Sequence, residues 1–74
     1  MELKQMGKRM RFARQMAELT QEQLAHKIGV SASYLGLIER GARRMNVEML
    51  YDICVQLSVS ADVLLGLKEM ELEW

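Results

Sequence analysis

Residues 20–41 read TQEQLAHKIGVSASYLGLIERG, and their pattern predicts two short helices crossing over a tight turn. Thr20 is a good N-cap, and Gln23 three residues on completes a capping box. Leu24, Ala25 and Ile28 then line one helical face. Gly29 follows the last of them, where a helix end wants a positive φ that a side chain resists. Val30 is placed to pack under the turn. Ser31 caps a second helix, whose apolar pair is Leu35 and Ile38 and which Gly41 ends. Ala25 is small, as a steep crossing over a short turn requires.

Working outward, the chain reads as five helices and no strand. The first covers about 2–17, with Leu3, Met6, Met10, Ala13, Met16 and Ala17 on one face and most of the basic residues on the other. The second and third cover about 21–28 and 32–39. Asn46 caps a fourth over about 47–57, with Val47, Leu50, Ile53, Cys54 and Leu57 inward. Ser58-Val59-Ser60 breaks it. Ser60 caps a short fifth helix carrying Val63, Leu64 and Leu65, which Gly66 ends. Residues 1–67 are expected to form one domain, followed by a tail over 68–74. Leu67, Met70 and Trp74 share a helical face there, while Met70, Leu72 and Trp74 alternate as a strand would. The tail is expected to serve a dimer contact; packing on the monomer and a frayed terminus are the alternatives.

With 74 residues the chain suffices for one small domain. A domain of that size buries only about 60% of its unfolded surface. Half of the residues are hydrophobic, seven are methionine and none is proline, so an aliphatic core with methionine as filler is expected. The single cysteine, Cys54, leaves no internal disulfide and no cysteine-based zinc site. It stands between Ile53 and Val55, which suits a buried structural thiol. No apolar run reaches the ~20 residues of a membrane span. No leader pattern is visible, so a cytoplasmic location is the expectation.

The net charge is zero, but its distribution is uneven. Residues 1–44 carry nine basic and four acidic groups, and residues 45–74 carry one basic and six acidic groups. A phosphate backbone would be attracted to the first part and repelled by the second. Two helices crossed over such a turn have helix-turn-helix geometry, whose second helix can be presented to a DNA major groove.

These residues resemble a family. Thr20-Gln21, Leu24-Ala25, Gly29-Val30-Ser31, Tyr34-Leu35 and Ile38-Glu39-Arg40-Gly41 match the Cro/lambda-repressor (Xre-type) pattern. Leu50, Ile53, Leu57, Val59-Ser60 and Leu64-Leu65 continue the match, from about Gly7 to Leu67. The resemblance implies an all-α, five-helix, lambda-repressor-like domain. It also implies a sequence-specific transcriptional regulator that binds double-stranded DNA as a homodimer. Glu18 stands where the family usually has glycine, so that turn must be made differently or with strain. Met45 stands where proline is common. The outward positions of the recognition helix (Ala32, Ser33, Gly36 and Leu37) are small or apolar where relatives often carry Gln, Arg, Asn or Ser.

Ser31, Ala32 and Ser33 open the recognition helix, where free backbone N–H groups favour a phosphate. Ser31 can be a plain N-cap at the same time, and Ser33 is the candidate for a base contact. Leu37 either touches a thymine methyl or is an exposed or dimer-contacting leucine. Gly36 would let the backbone approach a strand closely. Tyr34 either reaches a phosphate or packs against the first helix. The resemblance implies a sugar–phosphate contact for Gln21; a solvated polar residue is the alternative. Arg40, Arg43 and Arg44 are candidate phosphate contacts, with Arg43 and Arg44 favoured because their loop can bring them there, and Lys8 and Arg11 are weaker candidates. The resemblance pairs Arg14 with Glu39, a structural link that removes Arg14 from the DNA-facing set. His26 is expected to be solvated.

The leading function is a repressor-like DNA-binding regulator, with the third helix in the major groove. The alternative is a protein-interaction module, antitoxin-like or adaptor, on the same fold. An enzyme is not expected: no nucleophile with a base, no phosphate-cradling loop and no metal set can be assembled. No cofactor and no small-molecule ligand are expected.

Overall fold

The computed structural model of the chain describes residues 2–68. Within them lie five α-helices: α1 (Leu3–Met16), α2 (Gln21–Ile28), α3 (Ala32–Glu39), α4 (Val47–Leu57) and α5 (Ala61–Leu64). No strand occurs among the described residues. The tail contact expected of residues beyond Lys68 lies outside them.

Four of the five helices begin at a side-chain cap. Thr20 Oγ1 accepts the Gln23 N–H at 3.1 Å, and Gln23 Oε1 accepts the Thr20 N–H at 2.9 Å. Ser31 Oγ accepts from Tyr34 N at 3.1 Å, Asn46 Oδ1 from Met49 N at 2.8 Å and Ser60 Oγ from Val63 N at 3.3 Å. Each cap supplies an acceptor for an N–H that has no intrahelical partner. All four were legible from residue type and spacing.

α3 packs against α1 and α2, α4 against α2, and α5 against α1 and α4. The centre of the core is Met10, Leu24, Leu35, Ile38, Ile53 and Leu64, all fully buried. Two helix ends depart from expectation. Met16 is 60% exposed and Ala17 is exposed. Val47 is 82% exposed, and Met49 is buried instead. The inward face of α4 runs Met49, Ile53, Leu57, flanked by half-buried Leu50 and Cys54. At 100° per residue Val47 lies roughly 120° round the helix from Ile53, and Met16 stands at a similar angle from Met10 on α1. Val47, Tyr51 and Val55 therefore share the outward face of α4, all more than half exposed. Burial pushes the Cys54 thiol up from its ordinary pKa, which lowers its thiolate fraction. No helix is long and apolar enough to cross a membrane among the described residues.

The α1–α2 turn is made with strain. Glu18 has φ 59°, in the left-handed region, which costs a residue with a Cβ about 1–2 kcal/mol. Ser58 does the same after α4, at φ 55°. Glycine would remove that cost at Glu18 but lose more chain entropy on folding. Glu18→Gly is therefore expected to stabilise the domain by about 0.5–1 kcal/mol, a rise of a few degrees in melting temperature. A melting temperature that stays put or falls would show that the turn carries no net strain.

Candidate nucleic-acid interface

α3 packs on the body through α1 and α2. Its carboxyl end is tied by an ion pair across the fold. Arg14 Nε donates to Glu39 Oε2 at 2.7 Å and Nη2 donates to Oε1 at 3.0 Å. Arg14 is 8% exposed and Glu39 5%. Arg14 Nη1 also donates to the Leu19 carbonyl at 2.7 Å, which braces the strained turn. Gln21 Nε2 donates to Glu39 Oε1 at 3.0 Å. One carboxylate thus joins α1, the start of α2 and the end of α3. The Arg14–Glu39 pairing implied by the resemblance is present, and Arg14 is occupied by it.

Gln21 is half-buried and oriented by Glu39, rather than a free solvated side chain. A carboxylate only accepts, so the Gln21 amide nitrogen must face it. The carbonyl oxygen and the second N–H are left for the surface.

α1 crosses α3 closely, and the device is Gly7. A Cβ there would run into the backbone carbonyls of Ile38 and Glu39, 2.6 Å from the former oxygen. Gly41, at φ 77°, meets the α1 backbone at Lys4 in the same way. Spacing and periodicity give Gly7 no such role. A glycine in the interior of an otherwise amphipathic helix was the available signal.

On its outer side α3 forms the wall of a recess of about 420 Å³, lined by Gln21, Ala32, Ser33, Gly36, Leu37 and Arg40. Six of the predicted contact residues are therefore brought together. Ser31 and Ser33 are exposed, and Ala32 and Leu37 are half-buried. Gly36 differs from expectation: it is buried, covered by the side chains of Arg40 and Gln21. Tyr34 is half-buried against the core on the flank of α3, and the Arg43 guanidinium lies 5.7 Å from its ring centroid. That distance suits a cation–π contact. Arg44, the next residue, goes elsewhere. It lies at the rim of an apolar groove of about 290 Å³ formed by Leu3, Met6, Met45, Val47, Leu50 and Leu65. Lys8, Arg11 and His26 are exposed. Among the described residues no three His, Cys, Asp or Glu side chains gather as a metal set.

Comparison with known proteins accords with this geometry. A helix-turn-helix family model matches residues 10–64. The HTH-type transcriptional regulator YazB of Bacillus subtilis is 41% identical over 64 residues, 86% of this chain and 93% of that protein. An HTH-type transcriptional regulator of Mycobacterium tuberculosis is 41% identical over 58 residues, and the chain spans only 41% of its length. Among solved structures, the restriction-modification controller protein C.AhdI of Aeromonas hydrophila superposes with TM-score 0.79 at 32% identity, covering 84% of this chain and 94% of that one. The DNA-binding domain of the P22 c2 repressor gives TM-score 0.79 at 30% identity, covering 96% of both.

Proposed function

The chain belongs to the Xre/Cro-like helix-turn-helix family of DNA-binding domains, and on that ground we propose that it is a sequence-specific, repressor-like transcriptional regulator. It binds double-stranded DNA as a homodimer, with α3 of each subunit in the major groove. The observation that carries this reading is the outward recess along α3, with Arg40 on it and Arg43 beside it at Tyr34. Ser33 and Leu37 face bases. The N–H groups at the start of α3, with Gln21 and Arg43, take phosphates. Arg44, at the rim of the groove between α1 and α4, reaches a phosphate only if the loop turns it towards α3.

The outward row Val47, Tyr51 and Val55 on α4 supports a dimer, since a contiguous exposed apolar face commonly marks an interface. The same row is what favours the protein-interaction module as a second reading. Titration with mixed-sequence duplex at low salt separates the two. A regulator making ~4 phosphate contacts per subunit should show a log–log salt slope near −7. No binding to any duplex at low salt would favour the module. Selection from a random pool should return palindromes with half-sites about 34 Å apart, one helical turn. Single unpaired half-sites would count against the dimer.

A further inference from the structure

Three arginines end or follow α3, and the fold sends them to separate places. Arg43 lies over Tyr34, and Arg44 lies at the groove between α1 and α4. Arg40 folds back across α3. Its Nη1 would stand 3.1 Å from a Cβ placed at Gly36, one turn earlier. The Gln21 amide oxygen and nitrogen also lie close to the same position, at 3.6 and 3.7 Å.

A glycine inside a helix costs about 1 kcal/mol relative to alanine. At Gly36 the backbone has no positive φ, and no neighbouring backbone comes near the missing Cβ. Neither conformation nor helix crossing accounts for it, in contrast to Gly7. What the absent Cβ leaves is a bed for the Arg40 guanidinium in the recess. Gln21 forms a fixed wall beside that bed, because Glu39 holds its amide. Among the described residues no carboxylate pairs with Arg40; Arg14–Glu39 is their only salt bridge. The other recess residues are apolar or carry a single hydroxyl or amide.

We propose that Arg40 is the main specificity-determining side chain of α3, laid over Gly36 so that its planar fork donates to O6 and N7 of a guanine. This rests on the DNA-binding reading above and assigns its base preference. Only the guanidinium in this recess offers two parallel donors, the geometry that distinguishes guanine in the major groove. Gly36 acts as a positioning residue for it.

The test starts from the duplex selected by the wild-type protein. Arg40→Ala should lose preference for one G·C pair per half-site and weaken binding to the selected duplex on the order of 10- to 100-fold. Its binding to mixed-sequence duplex should fall far less. Replacing that guanine by 7-deazaguanine should weaken the wild type several-fold and leave Arg40→Ala unaffected. Arg40→Lys keeps the charge but not the fork and should not restore the preference. Gly36→Ala should fold at least as stably as the wild type yet lose part of the guanine preference. If Arg40→Ala selects the same guanine, or Arg40→Lys restores full discrimination, Arg40 is a phosphate contact and the inference is overturned while the regulator reading stands. Failure of the wild type to bind any duplex would overturn both.

Discussion

Glu39→Ala is expected to lower the unfolding free energy by about 3–5 kcal/mol, the cost of leaving one partner of a buried ion pair alone. A chain of 74 residues has a total stability of only about 4–11 kcal/mol, so a large unfolded fraction should appear at moderate temperature. The loss is large because Glu39 accepts from two side chains. Without it the Arg14 guanidinium, 8% exposed, keeps only its bond to the Leu19 carbonyl, and the Gln21 amide loses its acceptor. Urea denaturation measures the effect. A paired replacement, Arg14→Met with Glu39→Leu, removes both charges and should recover most of the loss, since a buried pair adds little over apolar packing. A single-variant loss below about 1 kcal/mol would place the pair in the class of exposed surface bridges. The pair's role is orientation: it holds the carboxyl end of α3 against α1, and through Gln21 it sets one wall of the recess.

Gly7→Ala is expected to destabilise the domain by about 2–3 kcal/mol or more, although alanine is the better helix former by about 1 kcal/mol. The obstacle is backbone. The added Cβ meets the Ile38 and Glu39 carbonyls, which cannot move unless α1 lifts from α3. Gly36→Ala is the internal control. There the nearest atom is the end of a flexible arginine, and stability should hold or rise. The same chemical change in two helix interiors is thus expected to have opposite signs, read by thermal or urea unfolding. Equal effects at both sites would show that the α1–α3 crossing is looser than 2.6 Å geometry implies.

The two variants also separate stability from recognition. Gly7 and Glu39 act on how firmly α3 is mounted, and both lie on its buried side. Gly36 and Arg40 act on what α3 presents. A regulator of this size has little stability to spare, so loss of mounting would reduce DNA binding without changing the selected sequence, whereas changes at the recess should alter the selected sequence itself.

Much of the fold was legible in the chain because its signals are short-ranged. A hydroxyl or amide at Thr20, Ser31, Asn46 or Ser60 reaches an N–H three residues on. Gly29 meets the φ of 74° that ends α2, and Leu24, Leu35, Ile38 and Ile53 follow helical periodicity into the core. The family resemblance, which has glycine at position 18, leaves that turn to be made differently or with strain, and the structure makes it with Glu18 at φ 59°. The Arg14–Glu39 link spans 25 positions, and residue spacing alone could not have paired them; the family resemblance did. Periodicity misplaced Val47 and Met16 because each stands roughly 120° round its helix from the buried row, too far to reach the core, and Val47 joins Tyr51 and Val55 on the outward face of α4.

By itself, then, the sequence determined where the helices begin and stop, which residues fill the centre, and that basic and acidic groups are segregated along the chain. Only the tertiary structure decided that α1 crosses α3 at Gly7, that Gln21 is claimed by Glu39, and that Arg40, Arg43 and Arg44 part company. The reason is one of range. Caps and turns are settled by atoms a few residues apart, whereas the direction of a side chain leaving a helix end or a loop is settled by whatever distant backbone leaves room for it.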